Sequence, residues 1–311
     1  MSSVVLFERA LKRYSTKTIG PIDLIVERGE VMGLIGPNGS GKTTTIRLML
    51  GLIKPSAGRV LLNGFSPFSK RVEALRGVGY SPELPNLPTF FTPRELLMLI
   101  AREIGLSAQN HEVEDALERV GLLEYSDTKI SKLSKGMVQR LSVAQALLGN
   151  PHALVLDEPL IGVDPIGADH LRALISDFAS KGGTVVLSSH QLSEVESVCT
   201  SVTAFRKGRV LFSGKVSELV KSFLGVRTIK VDALGVNKSI LERVSALEGV
   251  LHIEEDKSSL RIRVQADRDV RAKIARLLIE EGCELREIRY LDNALDELYR
   301  RAVLGEGGLE S

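Results

Sequence analysis

Residues 36 to 43 read Gly36-Pro37-Asn38-Gly39-Ser40-Gly41-Lys42-Thr43, which fits G-x-x-x-x-G-K-[ST]. The chemistry of that spacing is phosphate binding. Glycines let backbone N–H groups curl round a phosphate chain with no side chains in the way. Lys42 can neutralise the β- and γ-phosphates, and the Thr43 hydroxyl can ligate Mg²⁺. The apolar run Val31-Met32-Gly33-Leu34-Ile35 ahead of it reads as a buried parallel strand. Behind it, Thr44 to Leu50 read as a helix with Gly51 just past the end, and the helix N-terminus adds partial positive charge. The competing reading is a glycine-rich turn with an accidental Lys-Thr, and the flanking strand and helix count against it. A nucleoside triphosphate follows from these residues; a task for it does not.

Two further stretches carry chemistry. Ala153-Leu154-Val155-Leu156-Asp157-Glu158 is an apolar strand ending in two carboxylates. Asp157 suits a Mg²⁺ ligand at the carboxyl end of that strand. Glu158 suits a general base that orients and activates water. The bland alternative, an ordinary Asp-Glu turn before Pro159, loses weight beside a phosphate loop. Thr184 to Ser188 is another buried strand, running into Ser189-His190. Alone, His190 reads as a hydrogen-bonded structural histidine; at the end of a parallel strand it reads better as a γ-phosphate contact.

Other elements must position these groups. Val4 to Phe7 and Ile22 to Val26 read as strands of an antiparallel layer, with Tyr14 between them. That aromatic either stacks on a purine base or is a half-buried turn residue. Gly58 to Gly64 reads as a strand ending in an Asn63-Gly64 turn. Val78 to Glu83 is a short strand entering a proline-rich loop. Thr92-Pro93-Arg94-Glu95 then opens a helix with an N-cap, a first-position proline and a capping-box acid. From about 92 to 149 the pattern is helical, an insert inside an α/β frame.

Bulk properties exclude several classes. The 311 residues suffice for one full domain and a smaller second one. A net charge of +2 gives no basic surplus for nucleic acid, and no apolar run approaches the ~20 residues of a membrane helix. The first residues lack the basic and apolar regions of a signal peptide. Cys199 and Cys283 have no metal-type spacing and read as reduced thiols of a cytosolic protein.

Leu133-Ser134-Lys135-Gly136-Met137-Val138-Gln139-Arg140 resembles the LSGGQ signature of ATP-binding-cassette (ABC) ATPases. The order around it is similar too. Tyr14 stands at the adenine platform, Gly36 to Thr43 at Walker A with Thr44 following, and Glu83 at the Q-loop position. Asp157 and Glu158 stand at Walker B, Asp164 in the D-loop, and His190 at the switch histidine. The chain departs from the family pattern at Lys135 and Met137 for glycine and glutamine, at Glu83 for glutamine, and at Ile161 for a small hydroxyl residue. The resemblance implies an α/β P-loop NTPase cassette: a parallel core sheet, an antiparallel β layer and a helical subdomain. It implies ATP and Mg²⁺ as cofactors, with Thr43, Glu83 and Asp157 as metal ligands, and Lys42, Glu158 and His190 as the catalytic set. It also implies a head-to-tail homodimer formed on ATP binding, in which Ser134 and Gly136 act on the ATP held by the other copy. A separately encoded integral-membrane permease and a position at the cytoplasmic face of the cell membrane follow from the same resemblance.

The cassette is expected over 1–220, with its helical subdomain over about 92–149. Beyond it, Thr228–Val231, Lys238–Leu247, Val250–Glu254, Leu260–Val264, Asp269–Glu281 and Glu284–Tyr290 read as β-α-β-β-α-β. This is a small α+β ferredoxin-like unit over 226–303, resembling the C-terminal appendage of ABC-2-type exporter cassettes. A last helix is expected over Leu291–Val303, with Leu291, Leu295 and Leu298 on one stripe, and a disordered tail over 304–311. Arg261, Arg263, Arg268 and Arg271 read as a solvated face. The expected function is the ATP-hydrolysing subunit of an ABC exporter. The rivals are a soluble ABC ATPase acting on ribosomes or nucleic acid, a cassette that binds ATP without hydrolysing it, and a phosphotransferase.

Overall fold

The computed structural model describes residues 3–106, 110–219, 226–256, 259–265, 268–290, 295, 298, 299, 302 and 303. The chain forms two compact units, Met1–Ser213 and Gly214–Ser311. Its elements begin β1 (Ser3–Arg13), β2 (Thr18–Glu27), β3 (Val31–Ile35), α1 (Lys42–Met49), β4 (Ala57–Leu62), α2 (Arg71–Leu75) and β5 (Val78–Ser81). Next come α3 (Pro93–Glu103), α4 (Asn110–Arg119), α5 (Lys135–Leu147), β6 (Ala153–Leu156) and α6 (Pro165–Ser180). Then follow β7 (Thr184–Ser189), α7 (Leu192–Val198), β8 (Ser201–Arg206) and β9 (Arg209–Lys215).

The main sheet has the order β5-β6-β7-β3-β8-β9, and the pairs β5–β6, β6–β7, β7–β3 and β3–β8 are parallel. Every residue of β3, β6 and β7 is buried, the condition under which a strand can be apolar throughout rather than alternating. Because the strands are parallel, the carboxyl ends of β3, β5, β6 and β7 open at the same edge, where α/β sheets bind ligands. The strand of the phosphate loop and the strand of the two carboxylates are not neighbours; β7 lies between them.

A second sheet, β2-β1-β4, is antiparallel. Here β1 runs to Arg13, well past the expected Phe7. Irregular register between Phe7 and Ala10, with Arg9 at φ 46°, interrupts the alternation that marks a strand, so the sequence pattern ends before the strand does. Asp23 Oδ1 accepts from the Arg9 amide at this bulge. One buried cluster, including Phe7, Ile22, Ile46, Leu48, Met49 and Phe205, joins this layer to β3 and α1.

Between β5 and β6 the described residues hold helices and turns and no strand. α3 begins with a complete capping box: the Glu95 amide donates to Thr92 Oγ1 (3.2 Å) and the Thr92 amide donates to Glu95 Oε2 (2.7 Å). A cap of this kind is worth ~1 kcal/mol. At the far side of β4, Asn63 and Gly64 both have positive φ, as a tight Asn-Gly turn requires.

The second unit holds β10 (Val226–Leu234), α8 (Lys238–Ser245), β11 (Val250–Asp256), β12 (Ser259–Gln265), α9 (Arg271–Glu280) and β13 (Glu284–Tyr290). The sheet order is β11-β12-β10-β13 with every neighbour antiparallel, which is the split βαβ arrangement. Ile229, Val231, Ile262 and Val264 of the sheet share a core with Ile240, Val244, Ile274 and Leu278 of the two helices. Arg261 and Arg263 lie on the exposed side of β12. Arg268 and Arg271 lie beyond that strand and are solvated as well, Arg268 paired with Glu248 and Arg271 with Asp269. The Tyr290 ring lies 3.5 Å from the Arg227 guanidinium and 4.5 Å from that of Arg271. Leu295 and Leu298 are buried; the rest of the stripe at Leu291, most of the helix expected over Leu291–Val303, and residues 257–258 and 304–311 lie outside the described residues.

Candidate active site

Gly36 follows β3 with φ 143°, and a Cβ there would clash with the Phe205 carbonyl oxygen, so only glycine fits. The loop then turns into α1 with Gly41 at the N-cap. No side chain caps this helix and no acid stands in its first turn, so its first amides are left for an anion. Asn38 to Thr44 line a cleft of about 350 Å³, together with Lys17, Arg47, Glu83 and Glu158, while Gly36 and Pro37 of the same loop do not line it. Within it, Ser40 Oγ is buried and has no hydrogen-bond partner among the described residues.

Lys42 is 5% exposed, and its Nζ donates to Gly36 O at 2.6 Å and lies 3.2 Å from Glu158 Oε1. That ionic contact lies off the direction of a hydrogen bond, so Glu158 Oε1 accepts none from the described residues. The other oxygen, Oε2, is 2.8 Å from His190 Nδ1, which carries the proton when the carboxylate is ionised. Glu158 thus bridges the cation from the β3–α1 loop and the imidazole that follows β7. Its backbone sits at φ 49°, an unfavourable left-handed conformation for a side chain of this size. The Ser188 hydroxyl holds it there by accepting from the Glu158 amide at 2.8 Å.

Ser188 Oγ also donates to Asp157 Oδ1 at 2.6 Å, and Thr43 Oγ1 lies 3.3 Å from the same oxygen. The hydroxyl and the carboxylate expected to share a metal are therefore adjacent, across 114 residues of sequence. No group of three or more His, Cys, Asp or Glu side chains that could hold a metal occurs among the described residues. One hydroxyl and one carboxylate nonetheless match the sparse protein contribution to Mg²⁺, which fills its shell with water and substrate phosphate.

Burial raises the Asp157 pKa above the ordinary carboxylate range, against the lowering effect of Ser188, Thr43 and Lys42. A carboxyl whose folded pKa lies above its unfolded value stabilises the fold at low pH, and that stability is lost as pH rises through the raised pKa. We therefore expect Asp157→Asn to melt a few degrees above the wild type at neutral pH without nucleotide, since ~1 kcal/mol moves the midpoint by ~2–4 °C. Its melting temperature should also vary less with pH in the acidic range. Thermal unfolding of both proteins across that range checks this, and an Asn variant that melts below the wild type at neutral pH refutes it.

The remaining expected site residues lie elsewhere. Tyr14 is partly exposed, with the Lys12 and Lys17 ammonium groups 5.7 and 5.9 Å from its ring; Lys17 lines the cleft and Tyr14 does not. Ser134 caps α5 by accepting from the Met137 amide (3.2 Å), and Asp164 caps α6 by accepting from the Gly167 amide (2.9 Å). Neither these two nor Gly136 lines the cleft of its own chain. Lys17, Arg47 and Ser188 are site residues that sequence reasoning missed. Arg47 had a signal, standing four residues after Thr43 on the same helix face. Ser188 had none beyond its place at the end of a strand.

Fold and cleft together define a P-loop nucleotide-hydrolysing cassette. Residues 19–161 match the family model of ABC transporters. The bacitracin transport ATP-binding protein BcrA of Bacillus licheniformis is 33% identical over 307 residues, 98% of this chain and 99% of that protein. The Nod factor export ATP-binding protein I of Burkholderia thailandensis is 36% identical over 228 residues, 72% of this chain and 75% of that protein. A solved ATP-binding subunit of an ABC transporter superposes with a TM-score of 0.64 at 30% identity, covering 70% of this chain and 92% of that one. The chain belongs to the ATP-binding, ATP-hydrolysing subunits of the ABC transporter family. Among the described residues, no helix is long and apolar enough to cross a membrane.

Proposed function

We propose that this chain powers an exporter from the cytoplasmic face of a membrane, as a homodimer bound to a separately encoded permease. The observation that carries the catalytic part is the placement of Glu158 between Lys42 and His190, beside the Thr43–Asp157 pair. Lys42 and the α1 amides bind the β- and γ-phosphates. As the phosphate takes over Lys42, Glu158 Oε1 is released from that contact and accepts a proton from the attacking water. His190 holds the opposite carboxylate oxygen, and Nδ1–H fixes the direction in which the base faces. Thr43 and Asp157, with Glu83 lining the cleft, would hold Mg²⁺, which when bound would neutralise charge on the phosphate oxygens.

The export reading is supported by the names of the two relatives, which concern bacitracin transport and Nod factor export. The dimer reading is supported by the position of Ser134 and Gly136. They open α5, whose first turn carries no acid, yet they face no phosphate of their own chain. Residues 1–220 form the nucleotide-binding domain in this reading, and 226–303 a separate α+β domain. Two measurements test the proposal: Mg²⁺-dependent ATP hydrolysis by the purified chain, and its co-purification with a polytopic membrane protein rather than with ribosomes. Hydrolysis by a chain that co-purifies with no membrane protein would remove the transport half and leave the enzyme.

The loop before α3 offers a contact for that permease. Phe90 is 69% exposed and its ring centroid lies 4.5 Å from that of Phe91, an apolar pair too open to be core packing alone. We expect Phe90→Asp and Phe91→Asp to lower recovery of the transporter complex at least several-fold, while the isolated chain keeps its ATPase rate. Pull-down of the tagged cassette with its permease measures this, and undiminished recovery of both variants removes the loop from the interface.

A further inference from the structure

Arg140 belongs to no step described so far, yet it is among the few charged side chains buried in the first unit. It lies on α5, one turn after Gly136. Its Nη1 donates to the carbonyl oxygens of Val120 (2.9 Å) and Gly121 (3.0 Å), where the chain leaves α4. Its Nη2 lies 3.8 Å from Asp164 Oδ2, and its Nε, also buried, has no partner among the described residues. From its place on α5, one guanidinium therefore reaches both the end of α4 and the cap of α6. The contact is reinforced from α5 itself. A Cβ on Gly136 would stand 2.8 Å from the Gly162 carbonyl oxygen and 3.0 Å from Val163 Cα, so the first turn of α5 packs directly on the backbone that precedes Asp164.

That backbone is the continuation of the catalytic strand. From Glu158 it passes through two tight turns, the Ile161 amide donating to Glu158 O (3.2 Å) and the Val163 amide to Leu160 O (3.3 Å), and reaches Asp164 at the start of α6. Any displacement of the α4–α5 pair therefore presses on residues 162–164, and through those turns on Glu158. A guanidinium is a rigid fork of five donors, and a lysine cannot reproduce two carbonyls and a carboxylate at once. With Nη2 3.8 Å from Asp164 Oδ2 and a buried Nε without a partner among the described residues, the guanidinium keeps donors for a closer, two-pronged pairing with that carboxylate.

We infer that Arg140 is a positioning residue for hydrolysis: through Asp164 it couples the helical insert to the loop that aims Glu158. The inference rests on Glu158 being the base, which the Glu158→Gln variant tests separately. Arg140 touches neither the cleft nor a phosphate of its own chain, so nucleotide capture should not need it.

The experiment uses the full chain with Arg140→Lys, Asp164→Asn and the double variant. It compares the Kd for a fluorescent ATP analogue, kcat and KM for Mg²⁺-ATP, and the melting temperature. Asp164 has its side chain about half exposed, so its Asn variant, which keeps an oxygen for the Gly167 amide, folds even if Arg140→Lys does not. Expected are an unchanged Kd in all three, a kcat lowered about tenfold in each single variant, and a double variant no worse than the lower single. A kcat equal to the wild type in Asp164→Asn overturns the inference, as does a double variant whose loss is the product of the two singles. A kcat that falls only in step with melting temperature reduces Arg140 to a structural residue and equally overturns it. Loss of nucleotide binding in Arg140→Lys would contradict it by a different route.

Discussion

Glu158→Gln should bind ATP with wild-type affinity and turn it over ~10²–10⁴ times more slowly, the usual worth of a positioned general base. The substitution keeps the shape of the side chain. An amide oxygen can still accept from His190 Nδ1, 2.8 Å away in the wild type, so the imidazole need not move. What disappears is the carboxylate oxygen that takes the water proton in this reading. In the dimer we propose, hydrolysis is what releases the second copy, so this variant should accumulate an ATP-dependent dimer. Size-exclusion chromatography with and without Mg²⁺-ATP reads that out directly. Turnover like the wild type would remove Glu158 as the base. A loaded variant that stays monomeric would instead leave the base in place and remove the shared-ATP arrangement, so the two failures are separable.

Lys42→Met should have the second large effect, and on stability as well as binding. Lys42 and Glu158 are each 5% exposed at the side chain and lie 3.2 Å apart. Taking away one member of such a pair leaves the other charge buried and uncompensated, at a cost of ~3–5 kcal/mol. Glu158 keeps only His190 at its other oxygen. Chemical denaturation without nucleotide should show the loss in the single variant and recover most of it in Lys42→Met/Glu158→Gln, where no charge remains to be stranded. The double variant stays inactive, and both lose most of their affinity for ATP because no cation meets the γ-phosphate. If the single variant were as stable as the wild type, the pair would not be holding the empty cleft together. If the double variant were less stable than the single, the ionic account of the pair would be wrong.

The loss of stability expected of Lys42→Met opposes the gain expected of Asp157→Asn. Three neighbouring charges are held at different cost: Lys42 and Glu158 compensate each other, whereas Asp157 is buried with two hydroxyls and no cation in hydrogen-bonding contact. Removing a compensated charge destabilises; removing an uncompensated one stabilises and costs function.

Much of this was legible in the order of residues because it is local. The phosphate loop, its strand and its helix lie within residues 31 to 51, and each is announced by its own pattern: an apolar run, glycines, an apolar helix and Gly51. The capping box at Thr92 and Glu95 and the Asn63-Gly64 turn are likewise complete within a few residues. The β-α-β-β-α-β order of the second unit was readable from short strand-like runs and two helical stretches, the second ended by Gly282. Where bulges disturb the alternation, as from Phe7 to Ala10 of β1, the same reading stopped short.

What the sequence determined by itself is which groups exist and which strand or helix end carries each, since those depend on contacts between near neighbours along the chain. What only the tertiary structure decided is their company. It placed β7 between β3 and β6, so that Ser188 binds both Asp157 and the Glu158 amide and His190 reaches Glu158. It brought Thr43 to Asp157 and set Arg140 against Asp164. Strand order, sheet closure and the packing of a helix on a loop are settled by burying apolar surface across long stretches of chain, a sum over the whole fold that no short window of residues contains.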